Sequence, residues 1–143
     1  MVDIIQNVQT LLSDNWSPGN TGSRTPLFTI NSESKRKDLG FLNKDLIVLW
    51  EQDEFNEDLA VGGGNKQITS NIIIDIRTVL TRDQAILLYE EVRRIVIAKE
   101  KNDPFGDASF DILDLTEKRE TESYSNFWRY TCKLRVIKYL KTF

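Results

Sequence analysis

The chain contains no histidine, and that single absence removes much of the familiar hydrolytic chemistry. Without an imidazole there is no Ser-His-Asp or Cys-His relay, and the common zinc ligand sets lose a member. One cysteine, Cys132, excludes an intrachain disulfide and a cysteine-rich zinc site, and suits a reducing compartment. Long apolar runs are missing too. Runs such as Leu46 to Trp50 and Ile72 to Ile74 fall far short of the roughly 18 residues of a membrane span. The start, Met1-Val2-Asp3-Ile4-Ile5, has no basic segment ahead of an apolar run, so no export signal is expected. Positive charge is not in excess. With 19 Lys and Arg against 22 Asp and Glu, the net charge of −3 gives no general attraction for nucleic acid or an anionic membrane.

What is present is patterning. A chain of 143 residues suits one domain, residues 1–143, and at this size folding buries roughly 68–70% of the unfolded surface. Met1, Ile4, Ile5, Val8, Leu11, Leu12 and Trp16 share one side of a helical projection, which predicts an amphipathic first helix ended by Ser17-Pro18-Gly19. Pro26 opens a short extended segment through Ile30. Asp45 to Glu51 reads as a strand with Leu46, Val48 and Trp50 on one face and Ile47 and Leu49 on the other. Both faces are apolar, as in a central strand covered on each side. Ile68 to Val79 is a second strand, with Ile72, Ile74 and Ile76 on one face and Asp75 and Arg77 on the other.

Thr81 then stands as an N-cap, with Gln84 completing a capping box. The helix it opens runs to Lys101 and carries a stripe of Ala85, Leu88, Tyr89, Val92, Ile95 and Val96, the face expected on the sheet. Glu90 and Arg94 are spaced for an i, i+4 ion pair on its polar side. Phe110 to Leu115 alternates as a third strand and runs into the charged Glu117 to Glu122, with a hairpin tip expected around Ser123 to Asn126. In the last strand Trp128, Tyr130, Cys132, Leu134 and Val136 form a core face against a basic face of Arg129, Lys133 and Arg135, continued by Lys138 and Lys141. The fold class read from this order is α+β. It comprises a mixed or mainly antiparallel sheet, an N-terminal helix, one long helix packed across the sheet, and long mobile loops over Asn31 to Asn43 and Gln52 to Gln67.

Few residues offer chemistry. Asp53, Glu54, Glu57 and Asp58 are an oxygen-only set, but their spacing fits no EF-hand loop and a charge run is ordinarily a solvated surface. Gly62-Gly63-Gly64 before Asn65-Lys66 lacks the G-x-x-x-x-G-K-[ST] spacing and the strand-to-helix context of a phosphate loop. Cys132, on an apolar face, reads as a buried thiol. Asp75, Arg77 and Asp83 read as structural placements, Asp83 favouring the helix dipole. Lys35-Arg36-Lys37 and the basic face of the last strand suit phosphates, yet neither is interleaved with exposed aromatics as a single-strand binder requires. No catalytic, metal or cofactor-binding residue is assigned.

The order of helix, strands with long connections, strand, helix and a terminal antiparallel pair resembles the tail terminator, or tail completion, proteins of long-tailed, siphovirus-like bacteriophages. The resemblance spans residues 1–143 in element order. It is most evident in pattern from Ile72-Ile73-Ile74-Asp75-Ile76-Arg77 through the helix Ala85 to Ala98, with its Glu91-Val92-Arg93-Arg94-Ile95. It implies a structural virion protein and not an enzyme: a homo-oligomeric ring, commonly a hexamer, that caps the tail tube and joins it to the head connector. Such a ring needs no cofactor and has no membrane partner. It is assembled in the host cytoplasm and located in the tail or neck, and DNA passes its lumen without sequence-specific contact. Under this resemblance the assembly contacts are expected among Lys35, Arg36, Lys37, Asp53, Glu54, Glu57, Asp58, Gly62, Gly63 and Gly64. A head completion or neck protein, and a small non-enzymatic binding module, are the alternatives.

Overall fold

The computed structural model describes residues 4–30, 45–58, 65–99, 110–121 and 128–141. Helix α1, Ile4–Asn15, buries Ile5, Val8, Leu11 and Leu12, the expected stripe. A 3-10 turn, Pro18–Thr21, follows and closes on Gly22 at φ 65. That left-handed conformation is one a Cβ disfavours, so glycine suits this position. Strand β1, Leu27–Ile30, leads to β2, Leu46–Asp58, and β3, Asn65–Thr78. Helix α2, Arg82–Lys99, precedes β4, Phe110–Thr121, and β5, Trp128–Lys141.

The strands form one sheet in the order β1-β2-β3-β5-β4. Only β1 and β2 are parallel; the other three pairings are antiparallel. The fold is therefore a mixed α+β one, rich in antiparallel pairing, with two helices of which one is long. Both helices lie on one face of the sheet, α1 over β1 and β2, α2 over β3, β5 and β4. Between the layers Ile47, Leu49, Ile72, Ile74, Ile76, Leu88, Val92, Ile95 and Leu134 are buried in a single core. Each large aliphatic side chain so buried stabilises the fold by about 1.5–3 kcal/mol. On the far face Leu46 and Val48 form a second small apolar cluster with half-buried Val79, so β2 is covered on both sides as its sequence suggests. No described helix is long and apolar enough to cross a membrane.

Several expectations are corrected. Within the expected loop Gln52 to Gln67, Gln52 to Asp58 and Asn65 to Gln67 are strand: β2 continues to Asp58 and β3 begins at Asn65, so Asp53, Glu54, Glu57 and Asp58 stand on a strand. Polar residues hold a ladder here because backbone pairing with β3, from Asp53↔Asn71 to Asp58↔Lys66, satisfies the main chain whatever the side chains prefer. The charged run from Glu117 likewise stays in β4 as far as Thr121. Trp128, expected in the core, is 44% exposed at the very start of β5. Gly62, Gly63 and Gly64, and Lys35, Arg36 and Lys37 with the whole of Asn31 to Asn43, lie outside the described residues, as does the tip around Ser123 to Asn126.

The sheet outruns the helices. Strand β3 has 14 residues and α2 has 18, which correspond to about 46 Å of strand but only about 27 Å of helix. Beyond Asn71, β2, β3 and β5 continue together as an arm, in register from Glu54↔Ser70↔Val136 to Asp58↔Lys66↔Leu140, with β4 beside β5 only as far as Phe110↔Lys138.

Candidate functional site

Three buried carboxylates organise the body of the molecule. Asp45, fully buried just before β2, accepts from Thr78 Oγ1 at 2.6 Å, Gln84 Nε2 at 2.9 Å, Arg24 Nε at 3.2 Å and Arg24 Nη2 at 3.3 Å. It thereby ties the loop before β1 to the end of β3 and the start of α2. The capping box is half formed. Thr81 Oγ1 accepts from Gln84 N at 3.1 Å as expected, but the Gln84 amide turns away to Asp45 and to the Thr21 carbonyl, 3.0 Å off.

Glu91 is the second. The expected Glu90 and Arg94 pairing is replaced: Arg94 donates from Nε and Nη2 to Glu91, both at 2.7 Å, while Glu90 faces Arg93 at 3.7 Å. Glu91, 2% exposed, also accepts from Ser17 N at 2.8 Å and Asn20 Nδ2 at 2.9 Å, and Arg94 Nη2 donates to the Asn15 carbonyl at 2.9 Å. The end of α1 is thus clamped to the middle of α2. Burial pushes the Glu91 carboxyl up, but the bonds from Arg94, Asn20 and Ser17 reverse this and hold it below the ordinary carboxylate range. A lowered folded pKa stabilises the fold above the unfolded value of about 4.3, and that stability is lost as pH falls through the folded pKa. We expect Glu91→Gln to flatten the acid limb of a stability-against-pH curve measured by urea unfolding. An unchanged acid limb would show that the clamp contributes nothing.

Asp75 is the third and lies on the sheet face away from the helices, 1% exposed. Arg77 Nη2 donates to it at 2.7 Å, and Arg129 binds it in a fork, Nε at 2.9 Å and Nη2 at 2.8 Å. Register explains the arrangement. Arg77 and Arg129 stand directly opposite each other on β3 and β5, a like-charge pair that destabilises alone, and Asp75 sits diagonally between them.

These carboxylates are saturated by structural donors, which does not describe a poised acid or base. Cys132 is buried on the core side and its thiol is pushed up to about 12, first by burial and then by the charge of Asp75. Such a thiol stays protonated at neutral pH, and the thiolate is the form that attacks or ligates. Among the described residues no group of three or more acidic or thiol side chains is disposed to hold a metal ion.

The feature that remains is the charge pattern of the strands β2, β3 and β5. Strand β2 carries Glu51, Asp53, Glu54, Glu57 and Asp58 and no base. Strand β5 carries Arg129, Lys133, Arg135, Lys138 and Lys141 and no acid. Between them β3 is nearly neutral, with Lys66, Asp75 and Arg77. Adjacent strands lie about 4.8 Å apart, so opposite charge is held on two strands roughly 10 Å from one another. Of the sequence candidates, the structure brings Asp53, Glu54, Glu57 and Asp58 together on one strand and leaves the others undescribed. Sequence reading named the basic stretch of β5 but not its place beside the acidic one, because that juxtaposition comes from the strand order. No protein-family model matches the chain, and the curated proteins include none similar to it.

Proposed function

We propose that the chain is a structural subunit of a homo-oligomeric ring, of the kind that caps a phage tail tube and joins it to the head connector. The observation that carries this reading is the charged arm of β2, β3 and β5. An isolated domain gains little from strands that continue past the helices covering them, because their faces there bury less apolar surface; half-buried Ile68, against fully buried Ile72, marks the change. A subunit that must reach a neighbour gains an arm stiffened by three hydrogen-bonded strands. The body supports the same reading: its buried carboxylates clamp elements together and offer no reactive group.

In this role the helices and core form the ring body and the arm makes contact within the assembly or with the tail tube and connector. The resemblance in element order to tail terminator proteins makes the tail the preferred setting over the neck. The test is genetic. Removing the gene from the phage or prophage that carries it should yield tails of uncontrolled length and heads without tails, seen by electron microscopy. Normal infectious particles from the deletion would overturn the assignment.

A further inference from the structure

Helix α2 keeps one face turned away from the sheet. Asp83, Leu87, Glu90, Arg94 and Ile97 are all exposed there. They follow one another at steps of four, three, four and three residues, which draws a single seam along the helix, the heptad spacing by which two helices pair. Leu87 is 42% exposed and Ile97 56%. Aliphatic side chains exposed singly are ordinary on a protein surface. Here two share a seam, with Glu90 and Arg94 between them.

The order along the seam selects the partner. Leu87 and Ile97 lie equally far from Val92, and so do Glu90 and Arg94. A second copy laid antiparallel, with its own Val92 at the same level, therefore sets Leu87 of each chain against Ile97 of the other and Glu90 of each against Arg94 of the other. A copy laid parallel sets Glu90 on Glu90 and Arg94 on Arg94, where like charges repel. Arg94 is already held in place for the antiparallel contact: its bonds to Glu91 and to the Asn15 carbonyl fix the guanidinium, yet its side chain stays 45% exposed. The Glu90 side chain is 49% exposed, with Arg93 of its own helix at 3.7 Å. We propose that a second copy of this chain docks on this face of α2, helix antiparallel to helix. The contact is isologous, each copy giving the same patch. It goes beyond the ring reading and does not depend on it, since it pairs two chains, or two rings face to face where rings form.

Cysteine cross-linking reads the geometry directly. Leu87 and Ile97 are separated by ten residues of helix, roughly 15 Å, whereas a disulfide needs Cα atoms about 4.4–6.8 Å apart. Full-length Leu87→Cys and full-length Ile97→Cys are treated with oxidised glutathione, each alone and as an equimolar mixture. Cys132, buried and with its thiol pushed up to about 12, stays out of the reaction. The mixture should form a disulfide-linked pair at least roughly tenfold faster than either variant alone. Leu87→Gln with Ile97→Gln changes only exposed side chains, so it should keep the wild-type circular dichroism while weakening pairing roughly tenfold in sedimentation velocity. Leu87→Cys linking to itself as fast as the mixture links overturns the antiparallel contact. An oligomer mass unchanged by Leu87→Gln with Ile97→Gln overturns the proposal and leaves the ring reading standing. A wild-type species that stops at two chains, and is lost in that double variant, supports the pairing and overturns the ring. A monomeric wild type, with no link formed in the mixture, overturns both.

Discussion

Val92→Asp should leave no folded protein. Val92 is fully buried in the middle of α2, within the same core as Leu88, Ile95, Ile72 and Ile74. An unpaired carboxylate forced into that layer either ionises without a partner or takes up a proton, and loss of the valine packing adds a cavity-type cost of a few kcal/mol. A domain of this kind has about 5–15 kcal/mol of total stability, so one such change consumes most of it. Far-ultraviolet circular dichroism and a thermal melt read the result. A soluble variant with the wild-type midpoint would mean that α2 does not present this face to the sheet.

Asp75→Ala should be the most damaging change outside that core. The substitution removes one carboxylate and leaves two guanidinium groups, Arg77 nearly buried and Arg129 partly so, opposite one another on neighbouring strands. Breaking a buried pair by deleting one partner costs about 3–5 kcal/mol. Here the lost carboxylate bridges two guanidinium groups that face each other across the strands, and a fall in melting midpoint of roughly 10 °C or more is expected. Arg129→Leu in the same chain should restore part of the loss, since one of the two opposed charges is then gone. A double variant no more stable than Asp75→Ala would show that repulsion across the strands is not the source of the damage.

The body of this fold is legible in its sequence because period alone places the core. Ile72, Ile74 and Ile76 of β3, the stripe of α2 and the alternation from Tyr130 to Val136 all point inward as their spacing predicts. What period cannot report is where polar strands continue. Gln52 to Asp58 carries no alternation to betray a strand, yet its backbone is held by register with β3, so an edge of the molecule was readable only as a loop. Long-range polar contacts are hidden for a related reason. Glu91 is spaced like a surface residue of an amphipathic helix, and nothing local signals that Ser17 and Asn20 come to it from the turn after α1. Asp75 and Arg77 were legible as structural residues on one face of their strand. Arg129 was not legible as their partner, because it meets them only through the order β3-β5.

The central claim is that this chain is built to assemble, and its native mass in solution tests that most directly. Mass photometry or sedimentation of the purified full-length protein, at moderate salt and neutral pH, should give one discrete species whose mass is a whole-number multiple of the 16.6 kDa chain, with ring-shaped particles in negative stain. A single 16.6 kDa species, unchanged as concentration rises, would contradict the account.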